Sequence, residues 1–349
     1  MSTPGLLRLI RADDWWLYHL LPLLAAAYAS IAFYAVPAAD AYPALARLLL
    51  SIVCIAAYSH VVNDIGDAEQ DAAAGKPDRW RGVGLGWRAA VAAVFLVCGF
   101  AVWWGAGLSR GTVALLVLIA ALQPAYALAP LRLKERGAWG PVTDSLHTHA
   151  LPTLYCVTLF AGIAGAPLWR PFPLALAAWS FFVGLRGIVY HQRIDEPNDR
   201  RAGVSTFVTT HGSERAAVLV RRFIFPAELA ALVAVGIAVW GAAPAVVLAF
   251  AAYGGVMQLL RRTRTWPVTF ADPAPADRTA YIPLLAFYRS WPAPAFALLL
   301  AVRDPRFLPL FVVHSVVFAG PILRQAADFA RLLRWFWLAF SARVRRVWE

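Results

Sequence analysis

Two short stretches of this 349-residue chain are rich in carboxylates. The first, HVVNDIGDAEQD, runs from His60 to Asp71, and the second, YHQRIDEPNDRRAGVSTF, runs from Tyr190 to Phe207. They contain four and three, respectively, of the 20 acidic residues in the chain. Carboxylates held this close repel one another unless a cation lies between them, so both stretches are candidates for divalent-metal chemistry.

The spacing of the first stretch places its acidic groups on one side of a helix. At 100° per residue, Asp64, Asp67 and Asp71 fall within roughly 60° of arc, and His60 and Asn63 flank them. This stretch therefore predicts a single polar stripe on one helix.

The second stretch repeats the pattern, because His191, Asp195 and Asp199 fall within roughly 80° of arc. A hard cation removes the repulsion, and Mg²⁺ completes its coordination with water and substrate phosphates. Two facing stripes would hold a diphosphate through Mg²⁺ or Mn²⁺. The expected metal ligands, of which the aspartates are also expected to be catalytic, are Asn63, Asp64, Asp67, Asp71, Asp195 and Asp199. The plainer alternative is that both stretches are solvated loop residues near basic side chains.

The rest of the chain has the composition of a membrane protein. It is 60% hydrophobic and 15% charged, whereas soluble domains have about 25% charged residues. Apolar runs of about 20 residues cross a bilayer as helices, which satisfy their own backbone hydrogen bonds. The all-α bundle has candidate spans near residues 15–36, 44–62, 88–108, 111–130, 143–165, 171–192, 217–240, 243–260, 281–302 and 306–323. The span near 281–302 contains Arg289 and prolines and lies either across the membrane or in its interface, so we predict nine to ten spans.

The distribution of Lys and Arg sets the orientation of the bundle. If the N-terminus is cytoplasmic, the basic connections 76–88, 132–136, 193–215 and 261–264 all lie on the cytoplasmic side, together with both acidic stretches. The net charge of +12 then faces anionic membrane lipids, and nucleic acid is not an expected partner. We expect a protein of the cytoplasmic or inner membrane whose active site faces the cytoplasm.

Three segments together resemble the motifs of the UbiA superfamily of intramembrane prenyltransferases. NDIGDAEQD, which begins at Asn63, matches N-D-x-x-D-x-x-x-D, and DEPNDRRAGVSTF, which begins at Asp195, matches D-x-x-x-D-x-x-x-G-x-x-T. Between them, YALAPLRLKERG, which begins at Tyr126 and contains Lys134, resembles the segment between the fourth and fifth helices of the family. The resemblance covers about residues 15–260.

The resemblance implies a bundle of helices around a central cavity that holds a prenyl tail. It also implies that the two aspartate motifs bind Mg²⁺ and a polyprenyl diphosphate, whose prenyl group is transferred to an aromatic or other lipophilic acceptor. Some members of the family use a phosphoribosyl donor or cyclise terpenes instead. From another class, a transporter would carry ionisable pairs at the midplane, and a non-catalytic scaffold would not require two metal-spaced stripes.

Further side chains are expected to contact the substrate. Breaking an allylic C–O bond produces a diphosphate, which cations stabilise, and a carbocation, which aromatic faces stabilise. Each of these groups also has a plainer alternative, namely a cytoplasmic-side charge, an interfacial tyrosine anchor or a structural histidine. The expected substrate-binding residues are Asn63, Lys76, Arg79, Tyr126, Arg132, Lys134, Tyr190 and His191.

Several polar residues lie inside the predicted spans. Arg186 lies about 180° from Asp195 on a straight helix, so we do not assign it to the same site. We expect Glu228 either to satisfy the helix disrupted by Pro226 or to pair with one of the adjacent arginines at 221 and 222. The remaining group, which either binds the acceptor or forms a hydrogen-bonded structural cluster, comprises Asp144, His147 and His149.

We find no internal repeat or long linker, which favours one transmembrane domain over residues 1–325. The tail, residues 326–349, predicts an amphipathic basic helix with Trp335 and Trp337, suited to lie on anionic lipid.

Both acidic stretches must face the same side of the membrane if they share one diphosphate. In a background without the three native cysteines, we expect Ala73→Cys and Ala202→Cys each to resist an impermeant thiol reagent in intact cells. Both should react once the membrane is opened. Labelling of only one position from outside would separate the two motifs.

Overall fold

The computed structural model describes residues 11, 19–73, 75, 80, 82–167, 171–262 and 283–348. These residues form helices and connecting turns, and none of them is in a β-strand. Five helical segments, two of which consist of consecutive helices, are long and apolar enough to cross a membrane, or six if the bent pair Pro305–Val317 and Ala319–Trp335 is one span. Three shorter helices are also apolar. The described part of the chain thus has the architecture of an all-α integral membrane protein.

The helices follow one another along the chain with short connections. They are α1 (Leu20–Tyr34), α2 (Ala38–Ala73), α3 (Leu85–Ala101), α4 (Arg110–Ala127), α5 (Trp139–Ser145), α6 (Leu151–Ile163), α7 (Pro171–Arg201), α8 (Phe207–His211), α9 (Ser213–Leu219), α10 (Phe225–Val239), α11 (Pro244–Arg262), α12 (Pro283–Ser290), α13 (Pro292–Arg303), α14 (Leu308–Val317) and α15 (Ala319–Trp348). Each predicted span overlaps one or two of them. The count of nine to ten membrane crossings stays a prediction.

The two longest helices are much longer than a bilayer is thick. α2 has 36 residues and α7 has 31, which correspond to about 54 Å and about 46 Å. The hydrocarbon layer measures about 30 Å. Both helices are therefore too long to lie wholly within it. Their last turns, which carry the two acidic stretches, are the part expected outside it, because charged groups are costly in hydrocarbon. The helices also continue through Pro43 and Pro197.

Prolines account for two local changes of helical geometry. A π turn at Leu146–Ala150 joins α5 to α6, and another at Val220–Ile224 joins α9 to α10. In both cases a proline, Pro152 or Pro226, occupies the second position of the helix that follows. Proline lacks the N–H of the regular ladder and its ring meets the carbonyl four residues earlier, so the preceding turn widens.

The centre of the bundle is formed by helices without a polar face. Nearly all residues of α1 and α6 are buried, and α1 packs against both α6 and α13. The outer helices instead expose apolar side chains, such as Val97 of α3 and Ile237 of α10, at 64% and 73% of their surface. Apolar exposure on this scale fits helices that face lipid.

A buried ion pair joins three helices inside the bundle. Arg186 of α7 donates two hydrogen bonds to Glu228 of α10, at 2.6 and 2.8 Å, and Tyr288 of α12 donates another to Glu228 at 3.0 Å. Both charged side chains are buried. The sequence-based pairing of Glu228 with a neighbouring arginine is wrong, because Arg221 bonds Glu214 instead, at 3.1 Å. The π turn at Val220–Ile224 does not bring Glu228 to the arginines that are near it in sequence. The packing of α10 against α7 brings it to Arg186 instead.

The C-terminal helix α15 begins at residue 319, so the division predicted at residue 325 falls inside it. Its first turns rest on the bundle, where Gln325 donates to the Tyr253 hydroxyl at 3.1 Å and Phe329 stacks on the same ring. Further along, Trp337 exposes 64% of its surface. The division into one domain and a separate surface helix stays a prediction.

The ion pair predicts a specific pattern of stabilities. Glu228→Leu alone leaves Arg186 buried without its counter-charge, which should cost about 3–5 kcal/mol. The double variant Arg186→Met/Glu228→Leu removes both charges and should lose much less. Unfolding midpoints of the purified protein in detergent measure the difference. Equal losses in the single and double variants would contradict the pairing.

Candidate active site at the ends of two long helices

The first acidic stretch contacts the loop between α4 and α5. Asp67, near the end of α2, accepts hydrogen bonds from Asn63 at 2.9 Å and from Arg132 at 3.3 Å, and it pairs with Lys134. Lys134 also lies 3.4 Å from the Asn63 side-chain oxygen. Asp67, a predicted site residue, is therefore surrounded by three other predicted site residues, namely the cations Arg132 and Lys134 and the amide Asn63.

Arg132 fixes the position of this loop. It adopts a left-handed backbone, with φ of 38°, which is unusual for a residue with a side chain. Its guanidinium donates to the Gly66 carbonyl at 2.6 Å, to Gln70 at 2.5 Å and to Glu135 at 2.7 Å. The loop is thereby attached to the end of α2 by one multidentate side chain.

The charges of the loop are mutually dependent. Burial lowers the pKa of Lys134, and the adjacent Asp67 opposes that shift. Burial also disfavours ionisation of Glu135, but hydrogen bonds from Gln70 and Arg132 outweigh it and lower the pKa of Glu135. The charge of Arg132 acts in the same direction on Glu135. These hydrogen bonds thus keep the Glu135 carboxylate ionised next to the cations that surround Asp67.

Asp64 has two partners that the sequence analysis did not identify. Trp80 donates its indole N–H at 3.1 Å, and Arg11 lies 3.4 Å away. No spacing rule links these residues to the motif, because they come from other segments. Asp71 lies half-buried in the last turns of α2. The predicted substrate ligands Lys76 and Arg79 lie outside the described residues.

Gln70 and Glu135 were also missed. Gln70 lies three residues after Asp67 on the same helix face, and Glu135 directly follows Lys134. The sequence carries a weak signal for each of them. Helical spacing from Asp67 would have selected Gln70, and adjacency to Lys134 would have selected Glu135.

The second acidic stretch forms the end of α7. His191 lies 3.7 Å from Asp195, and these side chains expose 72% and 43% of their surface. The glycine of the motif, Gly203, has φ of 67° and ends the helix, with the Val204 N–H bonded to the Asp199 carbonyl at 2.9 Å. Glycine suits this left-handed position because it has no Cβ.

The threonine of the same motif also has a clear structural role. The Thr206 side chain caps α8 in a reciprocal capping box with Thr209. Gln192 accepts from the Val208 N–H at 3.3 Å, which joins α8 to α7. Tyr190, a predicted substrate ligand, is half-buried one residue before His191.

The first acidic motif contacts the α4–α5 loop more extensively than it contacts the second acidic motif. Asp67 contacts Asn63, Arg132 and Lys134, and Lys134 also contacts Asn63. Within the described ranges, no three His, Cys, Asp or Glu side chains form a group that could hold a metal ion. Shared metal binding by the two motifs stays a prediction.

The fold and the site together define a class of protein, namely an all-α membrane bundle with a charged site where its two longest helices end. The profile of the UbiA prenyltransferase family matches residues 20–271, which is most of the chain, and the chain belongs to this family.

Solved structures share this fold. The chain superposes on a UbiA homologue from Archaeoglobus fulgidus bound to DMAPP and Mg²⁺ with a TM-score of 0.57, at 17% identity, over 89% of this chain and 100% of that one. For the same homologue bound to GPP and Mg²⁺ the TM-score is 0.58, at 16% identity, over 88% and 100%. At this identity the likeness shows the fold alone.

One curated relative is the bacteriochlorophyll synthase 33 kDa chain of Rhodobacter capsulatus, which is 32% identical over 132 residues. The matched region is 38% of this chain and 42% of that relative, so less than half of its length is covered.

Close packing at Gly66 predicts how the site responds to a small change. A Cβ at this position would lie 2.5 Å from the Ala127 carbonyl oxygen, so Gly66→Ala must separate α2 from α4. We expect a loss of about 1–3 kcal/mol, as for other overpacked sites. The control Gly187→Ala meets nothing within 4 Å and should be neutral or stabilising. Thermal unfolding in detergent distinguishes them; equal midpoints would refute the close contact.

Proposed function

We propose that this protein is a magnesium-dependent intramembrane transferase that moves a prenyl group from a polyprenyl diphosphate to a lipophilic or aromatic acceptor. The observation that carries the proposal is the contact of Asp67 with Lys134 and Arg132. This contact supports the proposal because Asp67 is a proposed metal ligand and the two cations are proposed phosphate ligands. Membership of the prenyltransferase family supports the same activity.

The donor atoms of the two motifs suit Mg²⁺. They are carboxylate and amide oxygens, which hard cations prefer, and they include no thiolate. The ligands we propose are Asn63, Asp64, Asp67, Asp71, Asp195 and Asp199. When bound, the cation supplies positive charge that stabilises the diphosphate as it leaves.

The cations of the chain have a separate task. In the described contacts, Lys134 and Arg132 neutralise Asp67. We propose that both turn toward the diphosphate when the substrate arrives, where Arg132 offers a planar fork and Lys134 a compact point charge. We propose that Tyr126 and Tyr190 line the path of the carbocation with aromatic surface, and that His191 contacts the diphosphate.

The A. fulgidus homologue is bound to prenyl diphosphates together with Mg²⁺, and by analogy we propose the same donor class here. The proposed active site faces the cytoplasm, because the basic loops indicate that side and soluble diphosphates are available there.

The proposal is tested with purified protein, labelled geranyl diphosphate, Mg²⁺ and a membrane lipid extract. Mass spectrometry should identify a prenylated lipid that forms with Mg²⁺ and not in excess chelator. A cyclised hydrocarbon formed without the extract would indicate a terpene cyclase, and product formation in chelator would exclude the metal role.

Substitution of the aspartates locates the chemistry. Asp67→Ala and Asp195→Ala should each lower turnover by roughly 10²–10³-fold or more, the loss expected when several kcal/mol of leaving-group stabilisation disappear. Asp40→Ala, in the first turn of α2 at its opposite end, is the matched control and should retain activity. Normal turnover in both site variants would place the chemistry elsewhere.

A further inference from the structure

Two polar side chains that the donor site does not use lie on elements that pack against α4, the helix of Tyr126. They are Asp144, on α5, and His147, on the π turn that follows. The rings of Tyr126 and His147 have centroids 5.2 Å apart. His147 is therefore the member of this pair that contacts Tyr126.

His147 is held in one tautomer. It is 4% exposed, and its Nδ1 lies 2.6 Å from the Thr143 carbonyl oxygen. A carbonyl only accepts, so Nδ1 carries the proton and Nε2 keeps its lone pair in the neutral ring. No residue in the described part of the chain bonds Nε2. The result is a buried, oriented base with an available lone pair.

Asp144 adds a second hydrogen-bond acceptor. Its backbone carbonyl accepts from Thr148 at 2.6 Å, whereas its carboxyl group has no hydrogen bond or ion pair within the described ranges. His147 is buried and Asp144 is half-buried. Polar groups that are withdrawn from water without a partner are costly, so a ligand that donates hydrogen bonds is the expected occupant.

Close packing against α7 holds the π turn in place. Ser145 donates its hydroxyl to the Phe181 carbonyl. A Cβ at Gly184 would lie 2.5 Å from the His149 ring and 2.7 Å from the Ser145 hydroxyl. The turn that carries His147 therefore cannot shift freely, and π turns recur at functional sites.

We propose that Asp144 and His147 bind the acceptor substrate, that His147 removes its proton, and that this acceptor is a neutral lipophilic molecule with a hydroxyl or N–H group. The inference rests on the transferase function proposed above. Both groups offer acceptor atoms, the Nε2 lone pair of His147 and the carboxyl oxygens of Asp144, so an acceptor group that donates a hydrogen bond suits them better than a carboxylate does.

The C1–O bond of the allylic diphosphate breaks, and its electron pair leaves with the diphosphate. The nucleophilic atom of the acceptor forms the new bond to C1. The proton that the acceptor loses passes to Nε2 of His147, and Asp144, three residues earlier, stabilises the resulting imidazolium.

The test compares His147→Gln and Asp144→Asn with His211→Gln. The control histidine makes the same Nδ1 contact, 3.0 Å from the Phe207 carbonyl, but it is exposed. Each protein is given labelled geranyl diphosphate, Mg²⁺ and the membrane lipid extract. We expect both cluster variants to bind geranyl diphosphate like the native protein and to lose transfer by about 10²-fold or more, the usual contribution of a general base. The control should keep both.

Three results would overturn the inference. Native transfer rates in both cluster variants would remove the base, and loss of geranyl diphosphate binding in both would assign the pair to the donor site or to the fold. A product that releases prenyl alcohol in mild alkali would be an ester, which excludes the proposed acceptor class, since ethers and C-prenyl products resist this treatment. If the native protein forms no prenylated product, the transferase proposal itself fails, and the inference fails with it.

Discussion

Hydrocarbon offers no hydrogen-bond partner to a backbone amide and no solvation to a charge, and this constraint organises the whole chain. It selects helices, directs apolar side chains outward to lipid and confines most charges to the helix ends. The main buried exception is the ion pair of Arg186 with Glu228. It obeys the same constraint, because buried charges must be satisfied by protein groups. Two complementary charges and the Tyr288 hydroxyl satisfy one another, so three helices meet around them.

The same constraint explains why the candidate site lies where it does. α2 and α7 carry their carboxylates on turns that extend past the apolar layer, where water and cations are available. The carboxylates at the end of α2 would still repel one another. Lys134 and Arg132 of the α4–α5 loop reduce this repulsion by pairing with Asp67. Groups that neutralise a carboxylate in this way are also suited to bind a phosphate, so stabilising the fold and binding the proposed substrate require the same residues.

Tyr126 connects this charged end to the interior. Its ring lies beside that of His147, which the π turn before Pro152 brings to it, and we propose Tyr126 also as a contact of the prenyl donor. The proposed donor and acceptor sites therefore share one tyrosine. The arrangement has a simple chemical logic, because the bond that breaks and the bond that forms must involve the same carbon atom.

The sequence by itself determined the helices, the membrane setting, the family and the two acidic motifs, because these follow from local spacing and composition. Helical period placed Asp64 and Asp67 on one face without knowledge of any partner. Only the tertiary structure decided which residues meet: Trp80 with Asp64, Glu228 with Arg186 rather than with a neighbouring arginine. Such pairs lie far apart in the chain, and helix packing, which no local pattern encodes, brings them within hydrogen-bonding distance.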